Sequence, residues 1–151
     1  MNAETTLSSS AKILVVDDDK VIQRTVATAL NKAGYKVFAA ADISAALSTV
    51  RMEKPDLMLL DISFPLDFAN VGGPAQDGFF VVEWLRRTPE ANKIPIIIIS
   101  STDPVKYKDQ ASTKGIVACF RKPLNHEELL LVIKSTLDGN AVSAQPLSPE
   151  I

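Results

Sequence analysis

Asp17-Asp18-Asp19, Asp61, Ser100 and Lys122 are the residues of this chain whose types could do chemistry together. Carboxylates suit a divalent cation or a nucleophilic role, and a hydroxyl and an ammonium suit an anion. Their positions follow one rule. Ile13-Leu14-Val15-Val16 precedes the acidic run, Leu57-Met58-Leu59-Leu60 precedes Asp61, Ile96-Ile97-Ile98-Ile99 precedes Ser100, and Ala118 to Arg121 precedes Lys122-Pro123. In an open parallel α/β sheet, ligands bind in the crevice beyond the carboxyl ends of the strands. If these runs are strands of one such sheet, the polar groups meet there and suit a divalent cation with a phosphoryl group.

The elements that must position them alternate along the chain. The runs at Ile13–Val16, Leu57–Leu60 and Ile96–Ile99 are too uniformly apolar for half-exposed strands, so they are expected as central parallel strands buried on both faces. Lys36–Ala40 and Ala118–Arg121 are weaker and are expected to flank them. Helices are expected at Val21–Ala33 before Gly34, Ile43–Glu53 behind the cap Asp42, Gly78–Arg87, Val105–Lys114 before Gly115, and Asn125–Leu137. Asp19 is expected to cap the first of these. Strict alternation of five strands and five helices predicts right-handed crossovers and a doubly wound α/β sheet.

Composition removes several function classes. The 16 Lys and Arg against 18 Asp and Glu leave a net charge of −2, with no electrostatic footprint for nucleic acid or an anionic membrane. Direct nucleic-acid binding and membrane association are therefore not expected. Residues 1–10 lack a basic start and an apolar centre, and no apolar run approaches a membrane span, so the location expected is cytoplasmic. Cys119 and His126 are the sole residues of their types, which excludes a conventional zinc site. Residues 1–10 and 139–151 read as mobile tails around a domain at 11–138. Within these residues no separate output domain is expected, so output is expected through protein contact, the alternative being a fragment whose tail from Gly139 begins a linker.

The ordered set Ile13-Leu14-Val15-Val16-Asp17-Asp18-Asp19, Pro55-Asp56-Leu57-Met58-Leu59-Leu60-Asp61, Pro95-Ile96-Ile97-Ile98-Ile99-Ser100 and Lys122-Pro123 resembles the receiver domain of the two-component response regulators, in its stand-alone, chemotaxis-regulator-like form. The resemblance runs from about Lys12 to Leu137. It implies a flavodoxin-like fold with strand order 2-1-3-4-5. It implies that Asp61 accepts a phosphoryl group from a histidine kinase or phosphotransfer protein, switching contact with a downstream protein target. By the same resemblance Asp17 and Asp18 hold Mg²⁺, Ser100 and Lys122 contact the phosphoryl group, Ser100 and Cys119 occupy the switch positions, and Lys122-Pro123 is a cis peptide. The physical chemistry agrees. A carboxylate nucleophile meets an anionic phosphorus centre against repulsion, so a cation is needed. Asp18, Asp61, Asp17 through water, and the backbone carbonyl of Ser63 form a plausible shell for Mg²⁺.

Two departures from the family pattern stand out. The Asp-Gly pair that ordinarily closes the loop after the phosphoacceptor strand is Asp77-Gly78, twelve positions past Pro65, so the loop at 62–77 is expanded. The switch position three before Lys122, usually aromatic, is Cys119, which cannot swing as a ring does. Two other readings compete: a pseudo-receiver that binds partners without phosphorylation, and a haloacid-dehalogenase-type phosphatase with Asp17 as nucleophile and Asp19 as acid. The phosphatase reading leaves Asp61 unexplained. In the last helix Leu129 to Ile133 are consecutive, wider than one sheet face covers, so the surface of the fourth helix, last strand and last helix is expected to mediate regulated association, a homodimer included.

Overall fold

The computed structural model describes residues 10–62, 79–100 and 116–139. The strands are β1 (Lys12–Val16), β2 (Lys36–Ala40), β3 (Leu57–Asp61), β4 (Ile96–Ser100) and β5 (Ile116–Arg121), and the helices are α1 (Lys20–Lys32), α2 (Ile43–Glu53), α3 (Phe79–Arg86) and α4 (His126–Leu137). All strand pairings are parallel and the order is β2-β1-β3-β4-β5. This is the sheet that the sequence predicts, with the two weaker runs at its edges. The fifth expected helix, Val105–Lys114, lies outside the described residues, as do Ser63, the rest of the expanded loop to Asp77, and nearly all of both tails.

A sheet covered on both faces needs apolar side chains on both sides of each central strand, and period-two alternation distributes them. Leu14, Val16, Met58, Leu60, Ile96 and Ile98 face α2 and α3, packing with Ala46, Val50, Val82 and Leu85. Ile13, Val15, Leu57, Leu59, Ile97 and Ile99 face α1 and α4, packing with Val26, Leu30, Leu129, Val132 and Ile133. The four-residue apolar runs are thus two interleaved faces. One irregularity matters for the last strand: Ile96 pairs with Ile116 but Ile97 with Ala118. Beyond that extra residue, Cys119 joins the α2/α3 face and Phe120 the opposite one.

Helix ends follow local chemistry. Asp19 accepts from the N–H groups of Val21 and Ile22 at 2.9 and 3.3 Å, Asp42 from Ala45 at 2.8 Å, and Asn125 from Glu128 at 3.0 Å. Each side chain thereby satisfies an N–H that the first helical turn leaves without an internal partner. After α1 the chain reverses through Gly34 at φ 102°, a conformation that glycine adopts without a side-chain clash. Lys54 takes the same left-handed role after α2 at φ 51°, where a β-carbon is costly. No described helix is long and apolar enough to cross a membrane.

Candidate functional site

The register of the central strands brings the polar strand ends together. Val16 pairs with Leu60 and Asp61 pairs with Ile99, so Asp17, Asp61 and Ser100 emerge at the same edge of three adjacent strands. Lys122 follows β5, and its N–H donates to the Ser100 carbonyl at 2.8 Å, which draws the lysine back toward β4. The Lys122–Pro123 peptide is cis.

Asp17 and Asp61 are almost wholly inaccessible, at 0% and 1% exposure, while Asp18 is exposed. Asp17, Asp18 and Asp61 each present a carboxylate oxygen within 4.8 Å of the others. The Lys122 ammonium donates to Asp61 Oδ2 at 2.8 Å and lies 3.3 Å from Asp17 Oδ2. That second contact is an ion pair by distance but is poorly aligned, and buried Asp17 Oδ2 has no hydrogen-bond partner. The other oxygen of Asp17 accepts the Asp19 N–H at 2.9 Å. A buried carboxylate oxygen that accepts no hydrogen bond, beside two further carboxylates, is a ligand set for a hard cation.

The charges answer one another. Burial, together with the charge of Asp61, pushes the Asp17 carboxyl up to about 6, against the opposing pull of the Asp19 N–H and Lys122. Burial also works to lower the Lys122 pKa, but the hydrogen bond and charge of Asp61, joined by Asp17, outweigh it and hold the ammonium above its ordinary value. The lysine is cationic at any physiological pH. It partly offsets a carboxylate cluster that would otherwise repel itself.

Ser100 is buried at the end of β4, one residue past the partner of Asp61, and makes a polar interaction there. Cys119 is buried within the core at 3% exposure, and burial pushes its thiol up to about 11. Ser63 lies outside the described residues. His126 is half-buried and, with Ile22, Thr25, Val26, Lys122, Pro123 and Leu124, lines a cleft of about 270 Å³. Sequence reasoning missed Gln23, whose carboxamide donates to the main-chain carbonyls of Asp17 and Ala40. Nothing in the sequence marks it, because both acceptors are backbone atoms brought to it by the β1–β2 pairing.

Known proteins carry the same arrangement of strands. The response regulator receiver domain model matches residues 13–134. The chain is 30% identical to Protein PilH of Pseudomonas aeruginosa over 129 residues, covering 85% of this chain and 99% of PilH. It is 32% identical to the transcriptional regulatory protein YxdJ of Bacillus subtilis over 126 residues, covering 83% of this chain and 50% of YxdJ. It therefore spans about half the length of the latter and nearly all of the former. Among solved structures, the chemotaxis response regulator CheY4 of Vibrio cholerae superposes with a TM-score of 0.67 at 28% identity, covering 83% of this chain and 98% of CheY4. With the 2-1-3-4-5 sheet and the acidic cluster at its carboxyl edge, these matches establish that the chain belongs to the receiver domains of the two-component response regulators, which are signalling modules rather than catalysts.

Proposed function

We propose that Asp61 is the phosphoacceptor of this receiver, taking a phosphoryl group from a histidine kinase or phosphotransfer protein, and that the modified domain switches its contact with a downstream protein target. The observation that carries this is the Lys122 ammonium 2.8 Å from a carboxylate that is 1% exposed and stands within 4.8 Å of two more. An oxygen–phosphorus bond forms at Asp61 as the donor's nitrogen–phosphorus bond breaks, and the electron pair leaves with the imidazole nitrogen. Phosphoryl transfer asks little covalent chemistry of a protein beyond positioning and charge stabilisation. Lys122 supplies a fixed cation, and the Ser100 hydroxyl supplies a donor at the adjacent strand end.

The residues fit Mg²⁺. Asp17, Asp18 and Asp61 would hold it, and the buried Asp17 Oδ2, which accepts no hydrogen bond, is the feature of the structure that supports the assignment. Bound there, Mg²⁺ supplies positive charge to the phosphoryl oxygens. Asp19 is not available as an acid, because its carboxylate is committed to the first turn of α1. That, with the burial of Asp17, argues against the phosphatase reading. Self-catalysed uptake and loss of the phosphoryl group belong to this reading.

Regulated association belongs to it as well. Leu131 is 67% exposed on α4, in a groove that also contains Leu130, Tyr35, Glu127 and Lys134. An apolar centre between opposite charges on one helix face is self-complementary for an antiparallel second copy, which supports a homodimer.

Incubation with a small-molecule phosphodonor and Mg²⁺, followed by mass spectrometry, tests the central claim. One phosphoryl group on Asp61 is expected, absent in Asp61→Asn and absent when a chelator removes the metal. A protein that binds Mg²⁺ but takes no label would instead be a pseudo-receiver, and turnover that depends on Asp17 would make it a phosphatase.

A further inference from the structure

We propose that Gln23 is a positioning residue for the metal-binding acidic pair, acting through the peptide between Asp17 and Asp18. The inference rests on the assignment of Mg²⁺ to that pair. Gln23 lies in the first turn and a half of α1 and its own N–H bonds the Asp19 carbonyl at 3.0 Å, so its backbone is fixed by the helix. Its side chain turns back over the loop. The Nε2 group donates to the Asp17 carbonyl and, at 3.3 Å, to the Ala40 carbonyl. A carboxamide nitrogen has two hydrogens, and these acceptors use both.

The consequence is local and directional. The Ala40 carbonyl also accepts the Asp17 N–H at 3.0 Å, so the end of β2 holds Asp17 on one side and Gln23 on the other. The Asp19 N–H is bound by Asp17 Oδ1 at 2.9 Å. The Asp17–Asp18 peptide is thus pinned at its carbonyl by Gln23 and followed by an N–H tied to the Asp17 side chain. Asp18 itself is exposed. The orientation of that peptide is what directs its carboxylate toward Asp17 and Asp61. Partners of this outer kind commonly change metal affinity 10–100-fold when removed, because they hold the ligand in its binding direction.

The test measures Mg²⁺ affinity by titrating the shift in urea midpoint, and separately the stability without metal. Gln23→Met keeps the volume of the side chain and removes both donors. It is expected to weaken Mg²⁺ binding about tenfold. The same change made in an Asp18→Asn background is expected to alter the residual affinity less than twofold. A merely structural residue would lower stability in both backgrounds while leaving the affinity of the folded protein alone. Gln23→Asn, which keeps the carboxamide on a shorter arm, covers the case in which Gln23→Met does not fold, and is expected to weaken binding several-fold. Affinity within twofold of the parent in a folded Gln23 variant would overturn the proposal while leaving the phosphoacceptor reading intact. An equal loss in the Asp18→Asn background would also overturn it. An unaltered chain that binds no Mg²⁺ would overturn both.

Discussion

The carboxyl of Asp17 is buried beside a second carboxyl, and that placement couples its protonation to the stability of the fold. Its pKa in the folded chain, about 6, lies above the ordinary 3.8, so the folded state holds this proton more tightly than the unfolded chain does. The destabilisation is therefore fully present above about pH 6 and is relieved as the pH falls toward 4. Without divalent cation, Asp17→Asn is expected to be more stable than the parent at pH 7, by on the order of 1–3 kcal/mol, with the gap shrinking at pH 5. Urea denaturation in a chelator at the two pH values measures it, and a gap that does not change with pH would contradict the account. Cys119 gives a second prediction at this scale. With its thiol pushed up to about 11 and only 3% of the residue exposed, it should resist a disulfide reagent at pH 8 in the native protein and react on denaturation. Ready labelling of the folded chain would show that β5 opens at Cys119.

Element ends carry their own energetics. Helix α2 is bounded by a favourable residue and an unfavourable one: Asp42 accepts the Ala45 N–H at the start, and Lys54 holds φ 51° at the end. Asp42→Ala should destabilise the domain by about 1 kcal/mol by leaving that N–H without its cap. Lys54→Gly should stabilise it by about 0.5–1 kcal/mol, since glycine relieves the left-handed strain and gives back only part of that as chain entropy. Chemical denaturation of the two variants should therefore move in opposite directions, and a Lys54→Gly protein less stable than the parent would refute the strain argument. Both ends of α2 are legible in the sequence as boundaries. That a lysine would supply the left-handed turn is not, because the preference for glycine there is statistical and the α2–β3 connection imposes the conformation.

At the scale of the whole molecule, α4 separates core from surface within a single apolar run. Leu129, Val132 and Ile133 are buried against the sheet, whereas Leu131 is 67% exposed. The sequence anticipates surplus apolar surface there, shared with a fourth helix that lies outside the described residues; among the described residues the groove containing Leu131 is completed by Ala33 and Tyr35 near the start of β2. If two copies pair through this stripe, Leu131→Asp should lower the dimer fraction in sedimentation equilibrium, and so should Glu127→Lys alone. Combining Glu127→Lys with Lys134→Glu should restore association, because the swap regenerates the opposite-charge contacts across a two-fold axis. A protein monomeric at several hundred micromolar, before and after phosphorylation, would exclude this homodimer.

The strand runs, their order of burial and the polar residue that ends each one were determined by the sequence alone. A four-residue run of Leu, Ile and Val can satisfy both faces of a strand only at the centre of a covered parallel sheet, and Asp19 and Asp42 are poor choices anywhere but at helix starts. What only the tertiary structure decided was convergence. The 2.8 Å contact between Lys122 and Asp61 joins residues 61 positions apart, and it exists because β3, β4 and β5 are adjacent and in register. The split of one acidic run into buried Asp17, exposed Asp18 and capping Asp19 follows from where β1 ends and α1 begins. The clamp of Gln23 on two carbonyls was hidden for the same reason: backbone acceptors have no side-chain signature, and pairing between strands is what brings them within reach.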